Sequence, residues 1–192
     1  MAMGKQAKVL TKQQQNAVLS YLTTTRNAIR NKVIFLLSVK AGLRAKEIAL
    51  LTWEMVTDAE GEIADAISLQ DKASKGKSGG VVWLNKGLKL ALKELHNLGD
   101  CSGFVVKTER TNRTSAQAMV NVLWHWYRAL GFVGCSSHSG RRTFITNAAR
   151  KISTVGGSMR DVQLLARHSS LDMTMRYVDA DKEAMRKVVD LV

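Results

Sequence analysis

The chain of 192 residues has no proline, only two cysteines and few acidic side chains. The missing proline supports no functional argument. Cys101 and Cys135 lie far apart and outside C-x-x-C spacing, and with His96 and His125 they form no recognisable metal set. They read as reduced thiols of a cytosolic protein. No apolar run approaches the ~18 residues of a membrane span, and neither a signal-peptide pattern nor a polybasic amphipathic helix is present. The expected setting is therefore cytoplasmic and nucleoid-associated, with no membrane partner.

The shortage of acid leaves 16 Asp and Glu against 29 Lys and Arg, a formal charge of +13. Lys and Arg that neutralise phosphates supply most non-specific nucleic-acid affinity, so a polyanionic partner is the first expectation. Charge that serves only solubility is the alternative. With 45% apolar and 23% charged residues, the chain can bury a core and is expected to be globular.

No repeat or linker divides the sequence, which reads as a single domain over 1–192 with the first ten residues loosely ordered. Thr11 and Gln14 have capping-box spacing and open a helix through about Thr23. An apolar helix over Ala28–Lys40, stopped by Gly42, and a third over Ala45–Thr52 follow. Residues 66–69 and 81–84 read as short strands around a polar, Gly-rich turn. Further helices are expected near 86–97, 114–130, 138–152, 158–166, 171–177 and 182–191, with a third strand at 104–106. The fold class is α+β, mostly helical, with a small antiparallel sheet of two or three strands.

Two segments carry chemistry. In Ser136-Ser137-His138-Ser139-Gly140-Arg141-Arg142-Thr143-Phe144, either serine can cap a helix whose first turn holds His138 and Arg141. Residues three apart share a face, and a helix start favours an anion, so imidazole and guanidinium can converge on a phosphate. A capping histidine beside a surface arginine is the plainer reading. In Arg167-His168-Ser169-Ser170-Leu171-Asp172-Met173-Thr174-Met175-Arg176-Tyr177, a Ser-rich break separates His168 from Tyr177. Taken alone, Tyr177 is an ordinary half-buried tyrosine.

Together these stretches resemble the tyrosine recombinases, or phage integrase family, whose boxes read H-x-x-R and G-H-S-S-x-x-T-T-x-x-Y. Upstream, Ala41-Gly42-Leu43-Arg44-Ala45-Lys46-Glu47-Ile48 is similar to the family's G-L-R-x-x-E-L box. Lys75-Gly76-Lys77 before Val81-Val82-Trp83-Leu84 is similar to its catalytic-lysine hairpin. Trp83 stands where the family has proline, and counting back from it selects Lys75, with Lys72 and Lys77 as alternatives. Arg167 stands where the family has glycine, adding a charge near the phosphate or straining the turn. The boxes cover residues 41 to 177 in the family's order.

The resemblance implies a recombinase catalytic domain that cleaves and rejoins double-stranded DNA through a 3′-phosphotyrosyl bond at Tyr177, without cofactor, metal or ATP. Arg44 and Arg141 would hold the non-bridging oxygens, Lys75 would protonate the leaving 5′ oxygen, and His138 would serve as acid/base or phosphate ligand. His168 would donate a hydrogen bond to the phosphate. Arg44 paired with Glu47 at i+3 is the purely structural alternative. Only about forty residues precede the first box, so no N-terminal core-binding domain is expected within the chain. Either the recombinase is minimal, or the second half of the DNA clamp would come from such a domain elsewhere or from an accessory protein, and copies would assemble as homo-oligomers on DNA. A type IB topoisomerase and a non-catalytic DNA-binding protein of the same fold are the competing functions.

Overall fold

The computed structural model describes residues 6–74, 79–99, 101–108, 111–178 and 182–190. Helix α1 (Lys12–Thr23) starts at the expected capping box: Gln14 N–H donates to Thr11 Oγ1, and Thr11 N–H donates to Gln14 Oε1. Helix α2 (Ala28–Lys40) buries an unbroken run from Val33 to Val39. A helix apolar all round must be enclosed. α1, α4 (Lys86–His96) and α6 (Ser139–Lys151) pack around α2, and α3 (Ala45–Leu50) follows it and packs on α5 (Ala116–Ala129). Each fully buried side chain at the centre, such as Phe35 or Leu37, is worth ~1.5–3 kcal/mol.

The sheet has two antiparallel strands, β1 (Ala66–Leu69) and β2 (Gly80–Trp83), in the register Ala66↔Trp83 to Leu69↔Gly80. Ile67 and Val82 point into the core, while Val81 and Trp83 are exposed. The expected strand at 104–106 is reduced to an isolated bridge, Thr52↔Phe104. Val105 N–H donates to Leu51 O and Trp53 N–H to Gly103 O, but the chain turns into a 3-10 helix at Trp53–Met55 and ends the ladder. The same turn shortens α3, which stops at Leu50 instead of Thr52.

Three short helices close the fold: α7 (Met159–Ala166), α8 (Leu171–Met175) and α9 (Lys182–Val189). Ile145 of α6, with Val162 and Ala166 of α7, forms a second small apolar cluster, against which Phe144 and Tyr177 pack. Helix α6 is thus a seam, with α2 on one side and the α7–α8 hairpin against it. Of the first ten residues, expected to be loosely ordered, 1–5 lie outside the described residues. Residues 6–10 are tied down: Leu10 is buried, its N–H donates to Thr143 Oγ1, and Lys8 N–H donates to Gly134 O. Met185, Val188 and Val189 of α9 are exposed.

Candidate active site

The site begins at the α2–α3 corner. Gly42 has φ +65°, and a Cβ there would sit 2.5 Å from the Phe144 ring, so both backbone and space demand glycine. This turn sets Arg44 at the start of α3, where the Glu47 carboxylate reaches back. Glu47 Oε2 accepts from Arg44 N–H at 2.7 Å, and Oε1 accepts from Arg44 Nη1 at 2.8 Å. The Arg44 side chain stays 25% exposed, whereas that of Glu47 is wholly buried.

Helix α6 brings the second arginine. A Cβ at Gly140 would fall 2.1 Å from Ser38 Oγ, so only glycine lets the start of α6 lie this close to the end of α2. The close approach lets Arg141 Nη1 donate to Gly42 O at 2.6 Å, while Nη2 donates to Ala166 O. One guanidinium therefore ties the α2–α3 corner to the end of α7. Burial, and then the charge of Arg44, draws the Arg141 pKa down to about 10, while Glu47 and Tyr177 favour its charged form. It remains a cation at neutral pH.

Arg167 brings the third. It caps α7 in the left-handed region at φ 52°, and its Nη2 donates to Glu47 Oε2 at 2.7 Å. Three arginines thus surround one buried carboxylate. Burial alone would raise the Glu47 pKa, but Arg167, the Arg44 N–H, Arg44 and Arg141 outweigh it and hold the carboxyl below its ordinary value.

His168 and Tyr177 complete the group. The His168 backbone is fixed by N–H donation to Gln163 O and by Gln163 Nε2 donating to His168 O. Its Nδ1 lies 2.9 Å from Thr174 Oγ1. Burial, followed by Arg141, Arg44 and Arg167, pushes the imidazole pKa down to about 4. The ring stacks on Tyr177, whose carbonyl accepts from Thr146 Oγ1 at 3.0 Å. A cleft of about 380 Å³ opens at Tyr177, lined also by His138, Arg142, Met173 and Arg176. The Arg142 guanidinium carbon lies 5.7 Å from the centre of the Tyr177 ring.

The structure therefore gathers Arg44, Arg141, His168 and Tyr177 from three separate stretches of chain. His138 sits differently from expectation. It is itself the residue preceding α6, and Ser136 Oγ accepts its N–H at 3.3 Å. Its exposed side chain lines the Tyr177 cleft, while Arg141 turns inward, so the two do not converge as an i, i+3 pair. Lys75 and Lys77 lie outside the described residues, and Lys72 is exposed on a 3-10 turn (Asp71–Ala73). Sequence reasoning missed Arg142 and Thr174 and saw Glu47 only as a local partner of Arg44. Spacing could have pointed to Thr174, which falls three residues before Tyr177 in the last box. Nothing in the sequence pairs Glu47 with Arg167 across 120 positions.

Arginines, a histidine and a tyrosine are thus grouped on a mostly helical domain with a small hairpin. The sequence model of the Phage integrase family matches residues 8–184, and the chain belongs to that family. No curated protein sequence matches it. Among solved structures, the Tn1549 transposon integrase, in complex with a circular intermediate DNA, aligns with a TM-score of 0.75 at 16% identity, over 98% of this chain and 67% of that one. XerA recombinase aligns with a TM-score of 0.75 at 17% identity, over 98% and 66%. A lambda integrase dimer bound to a core site aligns with a TM-score of 0.67 at 17% identity, over 93% and 50%. The chain thus spans between half and two thirds of these proteins, and at such identities the likeness establishes the fold. No helix among the described residues is long and apolar enough to cross a membrane.

Proposed function

We propose that the protein is a site-specific DNA recombinase that cleaves and rejoins double-stranded DNA through Tyr177, acting as a homo-oligomer on its site with the other half of the DNA clamp supplied by a further domain or an accessory protein. The observation that carries the reading is the grouping of Arg44, Arg141 and His168 around Tyr177. A phosphodiester resists attack because its oxygens are negative and its leaving alkoxide is poor, so in-line displacement needs fixed cations and an acid.

The Tyr177 oxygen attacks phosphorus, the P–O5′ bond breaks, and a 3′-phosphotyrosyl bond forms. The phenol proton passes to His138, which shares the Tyr177 cleft. Arg44 and Arg141 take the charge that grows on the non-bridging oxygens, since guanidinium stays protonated and holds phosphate oxygens in a fork. His168 is neutral at pH 7. In the tautomer whose Nδ1 accepts from Thr174 Oγ1, the ring proton sits on Nε2 and donates to the phosphate. Lys75 gives its proton to the departing 5′ oxygen. Attack by a 5′-hydroxyl reverses every step. The phosphotyrosyl bond retains the energy of the broken diester, so rejoining calls for neither ATP nor metal.

The test is a nicked duplex that loses a short strand on cleavage, drawn from a pool of random sequences at low salt. A covalent adduct with wild type that is absent in Tyr177→Phe is expected. No adduct would return the protein to the class of DNA-binding proteins without turnover. Exchange of strands between two marked duplexes distinguishes a recombinase from a type IB topoisomerase.

A further inference from the structure

Arg167 has no role in the scheme above, yet its placement is costly. It adopts a left-handed backbone, which L residues with a Cβ avoid, where the similar sequence box has glycine. Its side chain is 5% exposed, and among the described residues its Nε and Nη1 have no partner. What it does touch is Glu47. That carboxylate also holds Arg44, the most exposed of the three arginines and the one best placed to reach DNA from the solvent side.

The two arginines use the carboxylate differently. The Arg44 guanidinium takes Oε1, whereas Arg167 takes Oε2 at 2.7 Å beside the Arg44 backbone N–H. Arg44 Nη1 is held on Oε1, so a fork that closes on a phosphate through both Nη atoms competes with that contact. Left with no cation in contact, a fully buried Glu47 would pull Arg44 back, because an unpaired buried charge is far less stable than a paired one. With Arg167 in place, Glu47 keeps a contact ion pair after Arg44 leaves.

We propose that Arg167 is a positioning residue that neutralises Glu47, so that Arg44 can exchange the carboxylate for the scissile phosphate. This rests on the catalytic reading of Arg44. It differs from a purely structural role in that its effect must vanish once Glu47 has no charge.

The test is a double-substitution cycle on the full chain, with melting temperature recorded for each variant. DNA affinity is measured in the Tyr177→Phe background on a nicked duplex taken from the pool, and adduct formation is measured with Tyr177 intact. Arg167→Gly should weaken binding and slow adduct formation about tenfold or more, and Arg167→Lys should restore most of both. In the Glu47→Gln background, Arg167→Gly should change affinity less than about twofold. Equal affinity and adduct rates for Arg167→Gly and wild type overturn the proposal. So does a loss of the same size in the Glu47→Gln background, which would mark Arg167 as structural. If wild type forms no adduct, the catalytic reading fails by itself, and the affinity cycle still decides whether Arg167 acts through Glu47.

Discussion

The imidazole of His168 lies nearly parallel to the phenol of Tyr177, with ring centroids 5.5 Å apart and planes inclined by 25°. Burial and three arginines hold that imidazole neutral down to about pH 4. In the unfolded chain a histidine titrates near ~6.5. Between these values the unfolded state binds a proton that the folded state does not, so stability is complete above pH 6.5 and falls as the pH drops towards 4. The urea midpoint should therefore decline from pH 7 to pH 5, above the range where carboxylates titrate. His168→Gln should flatten that decline more than His138→Gln does. A wild-type midpoint constant over this range would mean that the fold accommodates the imidazolium.

Gly42→Ala tests how the corner is built. A methyl group there meets the Phe144 ring at 2.5 Å and must adopt φ +65°. Strain and overpacking together should cost about 2–4 kcal/mol, seen as a lower melting temperature. Adduct formation should also fall more than stability explains at a temperature where the variant is folded, because Gly42 O anchors Arg141. Unchanged melting would mean that Phe144 swings clear.

Most of the secondary structure was legible because its signals are local. The Thr11 capping box and the apolar run of α2 each sit within a few residues, and both appear where expected. The third strand failed because its partner segment turns into a 3-10 helix, a choice made by tertiary packing around Trp53. In the site, the boxes carried Arg44, Arg141, His168 and Tyr177. They could not convey that Arg141 also donates to two backbone carbonyls, or that Glu47 binds Arg167. The Arg141 contacts depend on Gly140 letting α6 approach α2, and the Glu47–Arg167 pair spans 120 positions, neither of which spacing along one chain reveals.

Arg142 offers a test of the cleft itself. Its guanidinium carbon stands 5.7 Å from the Tyr177 ring centre, and its Nη1 donates to Gln6 Oε1. A cation beside the phenol favours the charge that develops as the proton leaves. Arg142→Ala should slow adduct formation about tenfold, equivalent to ~1.4 kcal/mol of barrier, and Arg142→Lys should slow it less. Melting should shift little, because the side chain is only half-buried. An unaltered rate with Arg142→Ala would assign the residue to DNA contact or to holding the N-terminal segment.

The leaving-group acid can be identified by chemistry that does not depend on where the hairpin lies. Lys75 is the candidate by register, with Lys72 and Lys77 as alternatives, and Lys75 and Lys77 fall outside the described residues. An alkoxide leaves poorly unless it is protonated, whereas a thiolate, whose conjugate acid ionises near ~8.5, needs no acid. Replacing the bridging 5′ oxygen by sulfur should therefore restore cleavage to the variant that has lost the acid, and only to that one. Lys75→Ala should cut adduct formation on the oxygen substrate by about 100-fold or more and be rescued by sulfur. Lys72→Ala and Lys77→Ala should show smaller losses that sulfur leaves unchanged, as expected for lysines that only hold DNA. Rescue of Lys77→Ala in place of Lys75→Ala would move the acid two residues along the hairpin, and the substitution of Trp83 for proline would then be the cause of the misread register.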